Sequence, residues 1–120
     1  MWRRREQARE TRDAQRRLAR LFSDHLVTAE HHLLGILEGR VPWDEVGFDI
    51  RWWVDSREGL VNALDKQGWE SLRDAYLHLD EINGMTANRS AVDTPRLRSA
   101  AAPALPAVRN ANQALAALAV

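Results

Sequence analysis

The histidines are the first residues to consider, because two histidines four residues apart on a helix can bind one metal ion. His25, His31 and His32 fall in one stretch of the chain, and His78 falls in another. On a helix, His31 and His32 would point about 100° apart, and about two turns would separate His25 from His32. No pair has the spacing needed to chelate one ion, so we predict no metal site.

Paired carboxylates come next, since a glycosidase-like acid–base pair needs one carboxyl group in an apolar pocket. Asp44, Glu45 and Asp49 lie close together in the sequence, beside tryptophans that could form such a pocket. A chain of 120 residues nevertheless leaves little room for an enclosed site. The chain has no cysteine, no serine in a nucleophile elbow and no glycine-rich phosphate loop. We predict no catalytic residues, no cofactor and no enzymatic activity.

Three tryptophans, Trp43, Trp52 and Trp53, form a candidate aromatic patch in a segment that also contains proline and glycine. Two interpretations are open. The rings could line a box for a small ligand, or they could close one end of a small hydrophobic core. We favour the second interpretation, in which Phe48 and Ile50 join the tryptophans in closing the core.

The arginines are distributed very unevenly along the chain. Residues 1–20, here called the basic arm, contain eight arginines and three acidic residues, a net charge of +5. Residues 21–81 carry −8 and residues 82–120 carry +3, so the formal net charge of zero conceals a polarised molecule. A basic segment of this density indicates a polyanionic neighbour, such as a membrane surface, a nucleic acid or an acidic protein.

The spacing of these arginines places most of them on one side of a helix. From Arg5 to Arg20 they recur at intervals of four, three, four and four residues, the repeat of a single helical stripe. Acidic residues form a neighbouring stripe, and pairs such as Glu6–Arg9, Asp13–Arg16 and Asp13–Arg17 would support the helix. A salt-bridged extension without a partner would show the same pattern. The residues that we predict to bind an anionic surface are Arg3, Arg4, Arg5, Arg9, Arg12, Arg16 and Arg20.

One long helix must carry this arm. Apolar residues recur with helical spacing from Ala8 to Leu37, no proline interrupts residues 2–38, and Gly39 is a natural stop. Such a helix is about 55 Å long, whereas a compact domain of this size has a diameter of about 35 Å. The apolar stripe is dense only after Leu18, so we expect the arginine-rich half to protrude.

Two further helices follow this spine. Residues 40–55 are predicted to form a connector, and residues 56–66 a second helix with Asp55 at its N-cap. The third helix is the clearest, because its apolar residues recur every three or four positions from Trp69 to Ile82.

The C-terminal part contains prolines that we expect to separate a linker from a final helix starting near Pro106. Its alanines suit close helix–helix packing, and its apolar end is expected to dock into the bundle or join a second copy of the chain. The predicted fold class is all-α, a small helical bundle with one long N-terminal helix as its spine. The predicted parts are a basic arm over residues 1–20, a helical core over 21–84, a linker over 85–105 and a C-terminal helix over 106–120.

Two strings of residues resemble those of a loose group of uncharacterised bacterial membrane-anchored proteins. The first is the start of the chain, Met1-Trp2-Arg3-Arg4-Arg5; the second runs from Trp69 to Asn83 and fits the pattern WExLRxAYxxLxx[IL]N. The resemblance implies one N-terminal transmembrane helix, a basic juxtamembrane helix and a small helical bundle, and it implies no activity. Arginines that follow a tryptophan also match the positive-inside pattern at a bilayer. The chain departs from the group because none of its apolar runs approaches the ~20 residues that span a bilayer.

These observations lead to two functional hypotheses. In the first, a non-enzymatic helical interaction domain, cytoplasmic and close to the inner face of the membrane, binds an anionic membrane surface or a protein partner through the arm. In the second, a soluble regulator binds nucleic acid through the same arginines, although the acidic core would repel a duplex and no recognition motif is present. A homo-oligomer formed through either terminal helix is compatible with both hypotheses. We favour the first.

Overall fold

The computed structural model describes residues 2–39, 48–87 and 94–119, and every regular element in these ranges is helical. The predicted all-α bundle with a long N-terminal spine is confirmed. The elements in chain order are α1 (Trp2–Glu38), α2 (Ile50–Ser56) with a 3₁₀ turn (Arg57–Leu60) directly after it, α3 (Lys66–Thr86) and α4 (Thr94–Ala119).

The helices alternate in direction, and α4 packs along both α1 and α3. Ser23 of α1 meets Asn112 of α4, and Glu30 meets Arg109, so residue numbers rise along one helix as they fall along the other. The backbones of α1 and α3 make little direct contact. The groove between these two helices is closed by α2, whose aromatic side chains insert into it.

The spine α1 is buried along one stripe in its second half only. Its buried apolar residues recur every three or four positions, which is the spacing of one helix face. The helix ends at Gly39, which has a φ of 68° and donates its N–H to the carbonyl of Ile36. This left-handed conformation favours glycine over any residue with a Cβ. The buried apolar residues of the stripe are Ala19, Phe22, Leu26, Ala29, Leu33 and Ile36.

The basic arm extends beyond the bundle, as the sequence predicted. Every described side chain from Arg5 to Ala14 is exposed, and the first fully buried position is Ala19. The molecule measures 60 × 22 × 21 Å. The contacts Ser23–Asn112 and Glu30–Arg109 place the end of α4 beside about residue 17 of α1, so an overhang of about 22 Å has no helix beside it.

The second helix lies earlier in the chain than predicted. The predicted boundary between a connector over residues 40–55 and a helix over residues 56–66 is wrong, because α2 occupies Ile50–Ser56. The carboxylate of Asp49 caps it by accepting the N–H of Trp52 at 2.9 Å. Burial of Trp53 and partial burial of Trp52 stabilise this position, and the predicted cap, Asp55, lies inside the helix instead.

The third helix matches its predicted apolar face. Leu72, Tyr76, Leu79 and Ile82 are buried, whereas Trp69 is half-buried. Asp65 caps the helix by accepting the N–H of Gly68 at 2.7 Å. The helix continues to Thr86, four residues past Ile82, the last residue of the predicted apolar face.

The last helix corrects the sequence analysis most clearly. It begins at Thr94, twelve residues before the predicted start, and includes Pro103 and Pro106. Both prolines are exposed, so water can reach the carbonyl groups that they leave without an N–H partner. Packing outweighs this loss, because one buried stripe with intervals of four, three, four, three and four residues runs through both prolines. The stripe is Leu97, Ala101, Ala104, Val108, Ala111 and Leu115.

Candidate functional site

The arginine stripe, defined as Arg5, Arg9, Arg12, Arg16 and Arg20, is exposed along its whole length. Successive residues of a helix are 100° apart, so the stripe lies roughly 100° around α1 from the side that faces the core. Its guanidinium groups are therefore free of the bundle's apolar contacts. The predicted site residues Arg3 and Arg4 belong to α1, and their side chains lie outside the described residues.

Acidic residues neutralise little of this charge. Of the three predicted pairs on the arm, Asp13–Arg16 forms, with 3.9 Å between nitrogen and oxygen. Among the described side chains, neither Glu6–Arg9 nor Asp13–Arg17 is an ion pair. Both groups of the Asp13–Arg16 pair are about half exposed, so solvent screens it and it contributes at most ~1 kcal/mol to stability. The arm remains a strongly basic surface.

The candidate aromatic patch is divided between the core and a boundary. The ring of Trp53 is buried and stacks on Tyr76 with 4.5 Å between centroids and 5° between planes. The half-buried ring of Trp52 lies 4.3 Å from Phe22 and 4.2 Å from His25. Both rings therefore pack with core residues of α1 and α3, whereas Trp43 lies outside the described residues.

A cavity of about 260 Å³ lies between α1, α3 and the start of α2. Two residues of α1, His25 and His32, line it together with Asp49 and Tyr76, which the sequence places far apart. The sequence did not predict this site, because the spacing of the histidines bears only on whether two of them could bind one metal ion. The described residues contain no group of three or more His, Asp or Glu side chains that could hold a metal ion.

Two polar atoms at the cavity are buried without a hydrogen-bond partner among the described residues: Nδ1 of His32 and the hydroxyl oxygen of Tyr76. Native proteins pair the large majority of such atoms. Two causes raise the pKa of Tyr76 far above its usual value. Burial of the phenol is the larger, and the negative charge of Asp49 is the smaller. The hydroxyl therefore stays protonated at neutral pH, and can donate or accept a hydrogen bond.

Asn83 fixes one wall of the cavity. Its side-chain oxygen accepts the N–H of Phe48 at 3.0 Å, and its side-chain nitrogen donates to the carbonyl of Phe48 at 2.7 Å. This two-point contact ties the residue before Asp49 to α3. The cavity is thus built on three elements that are held together by polar as well as apolar contacts.

Comparison with protein-family models, with curated proteins and with solved structures finds no match to this chain. None of the helices in the described ranges combines the length and the apolar character that crossing a membrane requires.

Proposed function

We propose that this protein is a non-enzymatic helical interaction domain that lies close to the cytoplasmic face of a membrane and binds its anionic surface through the basic arm. One observation carries the proposal: the arm extends past the bundle with its described side chains from Arg5 to Ala14 exposed. A helix this polar gains nothing from packing against its own domain. Its charge is available to a partner that is negatively charged.

The length of the overhang suits this role. The core segment 21–81 carries a charge of −8 and would be repelled by an anionic surface. The overhang of about 22 Å exceeds the Debye length of ~8–10 Å at physiological ionic strength. An arm that meets the surface with its tip therefore holds the acidic core where repulsion is largely screened. Each arginine near the surface would contribute on the order of 1 kcal/mol.

The tip is also the part of the arm that an upright helix brings to the membrane. The arginine stripe spans about 22 Å along the axis of α1. Arg16 and Arg20 would then lie more than a Debye length from the lipid headgroups. Upright binding consequently depends on Arg3, Arg4 and Arg5, with Arg9 close behind.

Co-sedimentation with vesicles tests the proposal. Wild-type protein should bind vesicles of anionic phosphatidylglycerol at low salt, release them at high salt, and bind neutral phosphatidylcholine vesicles weakly. Reversing Arg3, Arg4 and Arg5 to glutamate should abolish binding, whereas reversing Arg16 and Arg20 should reduce it only partly. The matched control reverses Arg51, Arg57 and Arg73, three exposed arginines outside the arm, which changes the net charge equally. It should retain most of the binding.

Binding to nucleic acid is the outcome that would replace this proposal. A duplex lying along the helix would contact the whole stripe, because its phosphates recur along the duplex and each can bind an arginine. Equal losses from the two ends of the arm, together with tight duplex binding at physiological salt, would favour that function. Equal vesicle binding by the arm variant and the control would refute the membrane proposal.

A further inference from the structure

The cavity between α1, α3 and the start of α2 is independent of the arm, and its chemistry is specific. Tyr76 is 3% exposed, lines the cavity and has a hydroxyl group without a hydrogen-bond partner among the described residues. His32 lines the same cavity, and its Nδ1 atom is also buried and unpaired. An unpaired buried polar atom destabilises the folded state, because it has lost its hydrogen bonds to water without replacing them. A ligand that pairs both atoms would recover much of this free energy.

The polar groups around the cavity are all able to accept hydrogen bonds. Asp49 uses one carboxylate oxygen to cap α2 and lines the cavity as well. A neutral imidazole accepts at one nitrogen, and a protonated phenol accepts at its oxygen. Among the described residues, no lysine or arginine lines the cavity. An anionic ligand would meet an uncompensated carboxylate there, whereas a cation with N–H donors would match every group.

Apart from Thr28, whose hydroxyl donates to the carbonyl of Asp24, the remaining walls are aromatic or apolar. Phe48 is held by Asn83, and the ring of His25 packs on Trp52 with 4.2 Å between centroids. The faces of aromatic rings attract cations, and the attraction is strongest where both groups are desolvated. The cavity volume of about 260 Å³ is below the ~300–1,000 Å³ of pockets for drug-sized ligands. The ligand must therefore be small.

We propose that this cavity binds a small organic cation, an ammonium or amidinium group on a compact apolar body. Asp49 supplies the countercharge, and Tyr76 and His32 accept hydrogen bonds from its N–H groups. The aromatic walls contact its body. This inference does not depend on the proposed role of the arm.

Three probes of nearly equal shape test the charge preference: benzylamine, benzyl alcohol and benzoate. Each would be titrated into the full chain at pH 8 and followed by the amide signals of cavity residues in NMR spectra. We expect benzylamine to shift the signals of Asp49 and Tyr76 and to bind at least tenfold more tightly than benzyl alcohol. Benzoate should bind most weakly of the three.

Two conservative variants test the residues. Asp49→Asn retains a capping side chain but loses the charge, so its affinity for benzylamine should fall at least tenfold. Asp65→Asn is the matched control, because Asp65 caps α3 in the same way but does not line the cavity. Its affinity should stay within twofold of wild type. Tyr76→Phe should fold normally and bind benzylamine at least fivefold more weakly.

Several results would overturn the proposal. These are equal binding of the three probes, no binding of benzylamine up to its solubility limit, or equal losses in Asp49→Asn and Asp65→Asn. Equal binding or equal losses would mean that the cavity does not select a cation through Asp49, and no binding would mean that it holds water only. Because the vesicle experiment uses a different part of the molecule, failure of one proposal leaves the other unaffected.

Discussion

Single polar side chains decide how the helices of this protein are joined. Asn83 illustrates this, because it is the last residue of the string WExLRxAYxxLxx[IL]N and uses both ends of its amide group on the backbone of Phe48. The apolar positions of the string are explained by burial, and the final asparagine by this contact. Asn83 therefore does more than continue the helical pattern. It joins α3 to the segment that precedes α2.

Replacing Asn83 by aspartate should destabilise the protein. A carboxylate cannot donate to the carbonyl of Phe48, and it places negative charge beside that carbonyl, so we expect a loss of about 1–3 kcal/mol in the free energy of unfolding. Asn112→Asp is a matched control, since Asn112 only accepts a hydrogen bond, from Ser23 at 2.6 Å. Urea denaturation should show a change below ~0.5 kcal/mol for the control. Equal effects in the two variants would contradict the two-point contact.

Among the elements, α4 shows how packing can outweigh local propensity. Proline inside a helix costs about 3 kcal/mol relative to alanine, and α4 contains Pro103 and Pro106. The buried stripe from Leu97 to Leu115 lies against both α1 and α3. Burying one leucine or valine is worth about 1.5–3 kcal/mol, so a stripe of this length outweighs the prolines. The same stripe explains why α4 starts at Thr94.

Replacing Pro103 by alanine should stabilise the protein if the helix continues through this position. The variant regains a backbone hydrogen bond but loses the proline's restriction of the unfolded chain, worth up to ~1 kcal/mol. We expect a net gain of about 1–2 kcal/mol. Ser99→Ala, an exposed substitution one turn earlier, serves as the control with a gain below ~0.5 kcal/mol. Unchanged or reduced stability of Pro103→Ala in urea would support the linker that the sequence predicted over residues 85–105.

At the scale of the whole molecule, the basic arm and the buried core lie at different ends. The arm is basic and exposed, whereas the buried residues lie from Ala19 onward. The apolar C-terminal segment docks into the bundle, because Val108, Ala111 and Leu115 are fully buried. This confirms one of the two options predicted for that segment. A homo-oligomer stays a prediction.

Deleting fourteen residues from either end should therefore have opposite consequences. Removal of residues 1–14 should change the free energy of unfolding by less than ~0.5 kcal/mol, because the described side chains in it are exposed. Removal of residues 107–120 takes away three buried side chains and should cost at least ~3 kcal/mol. Thermal unfolding of the two truncated chains makes the comparison. Equal losses would mean that the arm packs on the bundle or on a second copy.

The sequence by itself determined the long spine, the exposed arginine stripe, the apolar face of α3 and the stop at Gly39. Each depends on residues within a few turns of one another, so helical periodicity and local capping are sufficient to predict it. The start of α4, the position of α2 and the cavity were decided only by tertiary structure. In α4, burial against distant helices outweighs the cost of its prolines. In α2, burial against distant helices outweighs an apparent cap at Asp55. In the cavity, residues such as His25, Asp49 and Tyr76 meet only because α2 closes the groove between α1 and α3.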